Sequence, residues 1–449
     1  MKRHIGSSIA WALVTILVFS GTVWAAGEQL VTADRIGNPN AKTTLTFWQH
    51  AAFGIGTPNP KYAAVIRARM EAWAKKNPDV KLRIESELPW GKIHEVMLKL
   101  LESTKVGQQP DLATLDSFWV PRFLKTVPDA LQPLDEFMTD ADRNDFYPAY
   151  RKFVSDDKGR VRALFWNTDV RPLWYRTDLI SKPPKNWKEV IEIGQKVMKD
   201  NKDVTDGFLT EAGLYENTTF NFWGTYWAAG GELVDAKGRP VFNQGKNREA
   251  MLKVLRLLRQ LVDSKVMSPR VVEMGSSAAL DAAVAGSNPA MFLGGTWRLA
   301  SLRDLLGPKL DKWDITPTPP VFEGDAPTTG AGGWTWGIFT KDAAKQKLAF
   351  SFLWDVYGSF EGMGEVCFNA GWLPTRKSVA EQYGPMKSDK LYAKFTDQLK
   401  YARLRPAAPV YPDISRVFQT EFAEVILGRK APEKALDDAY EKVMEVYRE

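Results

Sequence analysis

The stretch LTFWQHAAFGIGTPNPKYAAVIRARMEAWAKKNPDVKLRI (Leu45 to Ile84) decides the architecture of this chain. Its first residues alternate between apolar and polar, and so do its last residues from Val80 to Ile84, which predicts a strand at each end. Between them, from Tyr62 to Trp73, apolar residues recur three or four positions apart, as on one face of a helix. This order predicts two parallel strands joined by a crossover helix.

The same alternation continues further along the chain. The residues from Ile93 to Leu101 have the spacing of a second amphipathic helix, and the run from Asp111 to Leu115 predicts a third strand. The chain has 449 residues, whereas one hydrophobic core rarely extends beyond roughly 250–300 residues. We therefore expect an α/β protein with two domains.

The first 25 residues have the three parts of a secretory signal peptide. Lys2 and Arg3 supply positive charge, an apolar core runs from Ile9 to Val18, and Val23 to Ala25 form a small-residue cleavage pattern. This core is shorter than the roughly 20 residues that a membrane-spanning helix needs. We expect cleavage after Ala25 and a soluble periplasmic protein. We expect no lipid anchor, because no cysteine stands directly after the cleavage site.

Composition disfavours several functional classes. Basic and acidic residues are interleaved without long blocks of one sign, which argues against a nucleic-acid surface. The single cysteine, Cys367, allows no intrachain disulfide. Beyond the signal peptide only His50 and His94 remain, so neither zinc-ligand spacing nor a histidine-based catalytic arrangement is supported. We expect no cofactor and no metal ion.

The ends of the predicted strands carry tryptophan and short polar side chains. In open parallel sheets, ligands bind beyond the carboxyl ends of the strands. Trp48, Trp90 and Trp119 each come from one of three successive strand ends, and Asp116 and Ser117 accompany the last of them. Flat aromatic faces beside hydrogen-bonding groups suit a sugar, whose C–H face stacks while its hydroxyls donate and accept. For any single tryptophan, packing in the core is the alternative.

Five short motifs are spread over the chain. They are LWYRTDL (Leu173–Leu179), PKNWKE (Pro184–Glu189), AGSNPAMFLGGTW (Ala285–Trp297), GWLPTR (Gly371–Arg376) and LGRKAPEKAL (Leu427–Leu436). In this order they resemble the motifs of the extracellular solute-binding proteins of ABC importers, in the sugar-binding branch that includes maltose-binding protein. Four residues depart from the family pattern, namely Arg176, Asn186, Asn288 and Pro289, and they leave the fold assignment unaffected.

The resemblance implies an α/β, two-lobed periplasmic-binding-protein fold of the type II kind. Each lobe would be a mostly parallel sheet flanked by helices, and two or three chain crossings would form the hinge. We expect these crossings near residues 165–169, 329–333 and 370–374. The first lobe would comprise residues 42–165 with 332–371 returning to it, and the second lobe residues 166–331 with 372–449 returning to it.

The resemblance also implies roles for individual residues. Asp116 matches a carboxylate that hydrogen-bonds sugar hydroxyls, with Ser117 beside it, and Trp297 matches a stacking aromatic residue. Trp334 and Trp372 lie at crossings that face the cleft.

From the residues themselves, Trp223 and Trp227 stand one helical turn apart and form either the floor of the site or part of the core. Arg298 and Arg376 could bind hydroxyls or an acidic group, although solvated or inter-lobe arginines are more common. The candidate ligand-binding residues are Trp48, Trp90, Asp116, Ser117, Trp119, Trp223, Trp227, Trp297, Arg298, Trp334, Trp372 and Arg376.

The expected function is to bind a carbohydrate between the lobes and to deliver it to the membrane subunits of an ABC permease, as a monomer and without catalysis. The ligand would be a sugar or oligosaccharide, or else a polyol. One alternative is a secreted glycoside hydrolase or lyase, which needs two carboxylates roughly 5–9.5 Å apart. Another is the same fold with a different solute, such as a glycerol phosphate or a polyamine.

Overall fold

The structure is a computed structural model that describes residues 31–50, 53–57, 59–87, 93–321 and 325–448. The predicted signal peptide and Trp90 lie outside the described residues. Among the residues that are described, no helix combines the length and the apolar character needed to cross a bilayer.

The described residues form thirteen strands, which assemble into two sheets and two short ribbons. The strands are β1 (Val31–Gly37), β2 (Thr43–His50), β3 (Val80–Glu87), β4 (Leu112–Asp116), β5 (Leu164–Phe165), β6 (Asn167–Thr168), β7 (Leu173–Arg176), β8 (Met291–Leu293), β9 (Trp313–Thr316), β10 (Thr329–Ala331), β11 (Trp334–Ile338), β12 (Leu373–Pro374) and β13 (Ala402–Leu404).

Seventeen α-helices surround these strands in the described part of the chain. They are α1 (Pro60–Lys76), α2 (Ile93–Lys105), α3 (Val120–Thr126), α4 (Asp140–Asp145), α5 (Pro148–Phe153), α6 (Trp187–Asp200), α7 (Glu216–Ala228), α8 (Gly245–Asp263), α9 (Ser277–Ser287), α10 (Arg298–Leu306), α11 (Ala343–Leu353), α12 (Phe360–Ala370), α13 (Lys377–Gln382), α14 (Gly384–Ser388), α15 (Lys390–Gln398), α16 (Tyr411–Ile426) and α17 (Pro432–Arg448).

The first lobe is built on a six-stranded sheet in the order β1-β3-β2-β4-β11-β5. Strand β2 pairs in parallel with both β3 and β4, which confirms the predicted strand and crossover arrangement. The outer strands differ: β11 runs antiparallel to β4 and β5, and β1 runs antiparallel to β3. Strand β1 has no counterpart among the predicted strands.

Helices α1 and α2 pack on this sheet through the apolar faces that their spacing predicts. In α1 the buried side chains include Tyr62, Ile66, Met70 and Trp73. Full burial of one such side chain stabilises the fold by about 1.5–3 kcal/mol. The Asn59 side chain accepts a hydrogen bond from the Tyr62 amide at 3.1 Å, which fixes the start of α1.

The second lobe contains a three-stranded sheet in the order β8-β7-β9, and most of its mass is helical. Both β8 and β9 run antiparallel to β7, whereas we expected a mostly parallel sheet. Between β7 and β8 the chain forms several helices rather than a single crossover helix, so the strand–helix–strand pattern that predicts parallel pairing is absent there. Helices α7, α8, α16 and α17 pack together into a layer beside this sheet.

Three chain segments meet between the two sheets, at the positions expected for the crossings. Strand β6 pairs antiparallel with β12, and Thr168 Oγ1 donates a hydrogen bond to the Gly332 carbonyl oxygen at 2.8 Å. Gly333 has a φ of +149°, and a Cβ there would lie 2.0 Å from the Asn167 carbonyl oxygen, so a side chain has no room. Strands β10 and β13 add a parallel ribbon that the sequence did not reveal.

The segment after the third crossing contacts the first lobe before it returns to the second. Arg376 pairs with Asp145 at 2.7 Å, and α13 packs on α12. Contacts with the second lobe begin near Asp389, which pairs with Arg303. The lobe boundaries, among them the one at residue 372, stay predictions.

A buried ion cluster lies inside the second lobe. The guanidinium of Arg298 is fully buried and pairs with Glu211 and Asp281. The side chains of Asn217 and Ser301 donate further hydrogen bonds to these two carboxylates. Buried charges of this kind are tolerated only when each has its partners.

We expect Arg298→Met to lower the free energy of unfolding by about 3–5 kcal/mol, because it leaves two buried carboxylates without their cation. The matched control is Arg256→Met, since Arg256 pairs with Glu433 where both side chains are about half exposed. That control should cost about 0–1 kcal/mol. Urea unfolding followed by tryptophan fluorescence measures both. Equal losses in the two variants would contradict the assignment of a stabilising role to the buried cluster.

Candidate functional site

A cavity of about 470 Å³, counted with its open mouth, lies between the lobes where the crossings meet. Small-molecule sites commonly have volumes of roughly 300–1,000 Å³. The cavity lies beyond the carboxyl end of β4 and at the start of β11, as the rule for parallel strands predicts. Its lining residues are Ile93, Asp116, Asp169, Arg171, Tyr215, Glu216, Asn217, Trp297, Gly333, Trp334, Trp372 and Arg405.

Three indoles from different parts of the chain line this cavity. Trp334 and Trp372 come from two crossings, and both rings pack against Phe53, with ring centroids 4.4 and 4.8 Å away. Trp297 comes from the second lobe, where its Nε1 donates a hydrogen bond to Ser277 Oγ at 3.1 Å. The aromatic lining is therefore drawn from both the crossings and the second lobe.

Arg405 connects the two lobes through its guanidinium. Its Nη2 donates to Asp116 Oδ1 at 2.6 Å, and its Nη1 donates to Glu216 Oε1 at 3.1 Å. Asp116 ends a strand of the first-lobe sheet, whereas Glu216 begins α7 of the second lobe. The guanidinium also lies over the rings of Phe118 and Phe220, at 4.4 and 4.3 Å from their centroids.

Burial and charge act in opposite directions on the ionisation of this pair. Desolvation raises the pKa of Asp116 to about 7, although the charge of Arg405 opposes the shift, and the nearby carboxylates of Glu216 and Asp169 add to it. Burial alone would lower the pKa of Arg405, but Asp116 and Glu216 outweigh that effect and the net direction is upward. Arg405 therefore stays charged, while Asp116 can change its charge near neutral pH.

Arg171 is a second guanidinium at the cavity, and it is held mainly by amides. Its Nη1 donates to Asn217 Oδ1 at 2.8 Å and to Asn221 Oδ1 at 3.1 Å, and its Nη2 donates to Asp169 Oδ2 at 3.2 Å. The guanidinium lies between the rings of Phe220 and Trp297, 3.9 and 4.4 Å from their centroids. These contacts fix its orientation.

Several buried polar atoms on the lining residues have no hydrogen-bond partner among the described residues. They are Asp169 Oδ1, Arg171 Nε and Arg405 Nε. Leaving a buried polar group unpaired costs about 1–3 kcal/mol. One acceptor and two donors on the lining residues thus lack a protein partner among the described residues, and a ligand that both donates and accepts hydrogen bonds matches this set.

A second cavity of about 980 Å³ adjoins the first and shares Ile93, Tyr215 and Glu216 with it. Trp119 lies in its wall, edge-on to the His94 ring at 5.2 Å between centroids. Burial, together with the charges of Arg416 and Arg122, lowers the pKa of His94 to about 4, so its imidazole is neutral at pH 7. The inter-lobe space thus continues beyond the first cavity.

The structure brings four of the sequence-predicted residues to the first cavity, namely Asp116, Trp297, Trp334 and Trp372. Ser117 is buried beside them, and its Oγ accepts a hydrogen bond from Arg405 Nη2 at 3.4 Å. Trp119 lines the second cavity instead. Trp90 lies outside the described residues.

Three predicted tryptophans lie elsewhere. Trp48 is half-buried on β2, under the Lys99 ammonium group at 5.1 Å. Trp223 is fully buried and donates from Nε1 to Tyr411 Oη at 2.9 Å, and Trp227 packs under the Arg403 guanidinium at 5.0 Å. Trp223 and Trp227 do not reach the cavity because α7, which carries them, is buried along nearly its whole length. Their indoles therefore pack in the core rather than face a cleft.

The two predicted arginines also differ from expectation. Arg298 is sequestered between Glu211 and Asp281 in the second lobe. Arg376 pairs with Asp142 and Asp145 of the first lobe and donates to the Gly358 carbonyl oxygen at 2.7 Å. Neither lines the first cavity, because each guanidinium is already committed to internal partners.

Sequence reasoning identified Asp116 but missed the other charged residues that line the cavity. Asp169 and Arg171 stand together in the otherwise mostly apolar stretch ALFWNTDVRPLW, and that isolated charge pair was a usable signal. Glu216 and Asn217 begin a helix and carried no such signal. Arg405 lies in an irregular segment before Pro406, and only its spatial position distinguishes it. Among the described residues, no cluster of three His, Cys, Asp or Glu side chains could hold a metal ion.

Relatives resemble this chain in sequence and in fold. A probable ABC transporter-binding protein of Deinococcus radiodurans is 24% identical over 295 residues, which cover 62% of this chain and 67% of that protein. A maltotriose-binding protein of Pyrococcus abyssi is 26% identical over 144 residues, which cover 32% of this chain and only 30% of that protein. Maltose-bound MalE3 of T. maritima superimposes with a TM-score of 0.74 at 21% identity, over 90% of this chain and all of that chain, and so shares the two-lobed fold.

The family model of the bacterial extracellular solute-binding proteins matches residues 57–353. This match covers most of the first lobe, two of the crossings and much of the second lobe, which is about two thirds of the chain. The chain therefore belongs to the family of bacterial extracellular solute-binding proteins.

Proposed function

We propose that this protein binds a saccharide in the cavity between its lobes and delivers it to an ABC permease, without chemical conversion. The observation that carries the proposal is the combination of indole faces with unpaired donors and acceptors on the residues of one cavity. A sugar ring presents a C–H face to an indole and hydroxyls that both donate and accept. The family membership and the sugar-binding relatives support the same ligand class.

The free energies involved favour a ligand that contacts both lobes over one that contacts a single lobe. Association costs about 4–15 kcal/mol in lost motion. An aromatic contact contributes about 0.5–1.5 kcal/mol beyond burial, and a hydrogen bond to a charged group about 1.5–3 kcal/mol. Trp297 and Glu216 of the second lobe must therefore act together with Asp116 of the first lobe and with the indoles of the crossings.

The closed arrangement of the lobes fits this contact with both lobes. At the rim, Lys61 of α1 pairs with Asp304 of α10 at 2.9 Å, and Arg122 of α3 pairs with Asp413 of α16 at 2.9 Å. A ligand that contacts both walls favours this state over an open one, in proportion to the contacts that closure adds. Closure would signal occupancy to the permease, and we infer that the protein acts as a periplasmic monomer.

Isothermal titration with neutral saccharides, polyols, polyamines and phosphoesters tests the ligand class. We expect at least one neutral saccharide to bind. Binding of polyamines or phosphoesters alone would contradict the proposal. Chromatography of the bound oligosaccharide after long incubation tests the absence of catalysis. Sustained turnover would identify an enzyme rather than a transport protein.

We expect Trp297→Ala to weaken saccharide binding at least tenfold, which corresponds to about 1.4 kcal/mol, because it removes an aromatic face of the cavity. The matched control is Trp48→Ala, which removes an indole from the first-lobe sheet away from the cavity. Calorimetric titration of both variants with the same saccharide measures the difference. If Trp48→Ala loses as much affinity as Trp297→Ala, the cavity is not the binding site.

The raised pKa of Asp116 predicts how saccharide binding depends on pH. A ligand hydroxyl that donates to this carboxylate favours its ionised form, so binding lowers the pKa from about 7. Affinity should therefore be highest above pH 7 and should fall as the pH drops below 7. Asp116→Asn cannot titrate, so its affinity should stay nearly constant between about pH 5.5 and pH 8.

Titrations at several pH values check this expectation. The buried imidazoles of His50 and His94 do not interfere, because burial lowers their pKa values to about 3 and about 4. An identical pH profile for wild type and Asp116→Asn would show that another group titrates.

A further inference from the structure

The cavity contains more acidic than basic side chains, although two guanidiniums line it. Asp116, Asp169 and Glu216 face Arg171 and Arg405. Each guanidinium is already paired with at least one of these carboxylates. Neither arginine therefore offers the free positive charge that an anionic ligand needs.

We propose that Asp169 is a specificity-determining residue that restricts the cavity to uncharged saccharides and excludes uronates and other anionic sugars. This inference rests on the proposed function. It names the charge class of the ligand and the side chain that selects it.

The surroundings of Arg171 place Asp169 in this role. The Arg171 guanidinium donates hydrogen bonds to Asp169 Oδ2 and to the amide oxygens of Asn217 and Asn221, which carry no charge. Asp169 is itself buried, so little water screens the pair. The Asp169 carboxylate thus occupies the position that the carboxylate of a uronate would need in order to pair with Arg171.

Arg405 cannot serve as a second anion site, because two carboxylates hold it. Asp116 accepts from both terminal nitrogens of its guanidinium and Glu216 accepts from Nη1, and Glu216 also accepts from Tyr411 Oη at 2.8 Å. Removal of one of these carboxylates would leave the other in place. Arg171, in contrast, depends on Asp169 for its only ionic partner among the described residues.

The unpaired atom of Asp169 points to the same selection. Its Oδ1 is buried and lacks a hydrogen-bond partner among the described residues. A hydroxyl can donate to this oxygen, whereas a ligand carboxylate cannot and would repel it.

The test compares wild type, Asp169→Asn and Asp178→Asn by calorimetric titration at neutral pH. The probes are glucose with glucuronate, galactose with galacturonate, and maltose and maltotriose with their aldonate forms. Asp178→Asn is the matched control, because it removes the same charge from an arginine partner, Arg176, outside the cavity.

We expect wild type to bind the neutral member of a pair at least tenfold more tightly than the anionic member. Asp169→Asn should narrow that ratio at least fivefold by strengthening the binding of the anionic member, and Asp178→Asn should keep the wild-type ratio. Circular dichroism verifies folding, and Asp169→Ser replaces Asp169→Asn if the latter does not fold.

Equal binding of both members by wild type would overturn the inference and leave saccharide binding intact. If a folded Asp169 variant kept the wild-type ratio of neutral to anionic affinity, the inference would likewise be overturned while saccharide binding stood. If no member of any pair bound, the proposed function and the inference would both fail.

Discussion

The guanidinium of Arg405 is the contact on which the arrangement of the cavity depends. It bonds to a carboxylate from the first-lobe sheet and to another from a second-lobe helix, and it lies buried over two phenyl rings. A charge this deeply buried is tolerated only with its partners in place. Because those partners belong to different lobes, the polar floor of the cavity exists as a unit only while the lobes are together.

The aromatic residues divide into two groups according to the elements that carry them. Indoles on α7 pack inside the second lobe, because that helix is surrounded on all sides. Indoles at the crossings and before α10 line the cavity, because those segments border the space between the lobes. The same residue type thus stabilises the lobes in one setting and forms a binding surface in the other.

Periodicity in the sequence was sufficient for the central strands of the first lobe and for α1 and α2, where one face is buried and the spacing is regular. It could not reveal β1, where the apolar–polar alternation breaks at Asp34 and Arg35, or the antiparallel order in the second lobe, which depends on long-range pairing. The resemblance to the family implied Asp116, Trp297, Trp334 and Trp372, and all four line the cavity, while their role in binding stays a prediction. Arg298 was proposed from its place beside Trp297, and it lies instead in a buried ion pair with Glu211, which leaves no mark on local sequence.

The crossings have a mechanical consequence. Strands β6 and β12 are paired, Thr168 is bonded to the Gly332 carbonyl oxygen, and the Trp334 amide donates to Asn167 Oδ1 at 2.9 Å. Hydrogen bonds thus join the three connections into one narrow ribbon, so they do not move independently. Such a ribbon bends easily in one direction and resists shear in its plane, which favours rotation of the lobes about a single hinge axis.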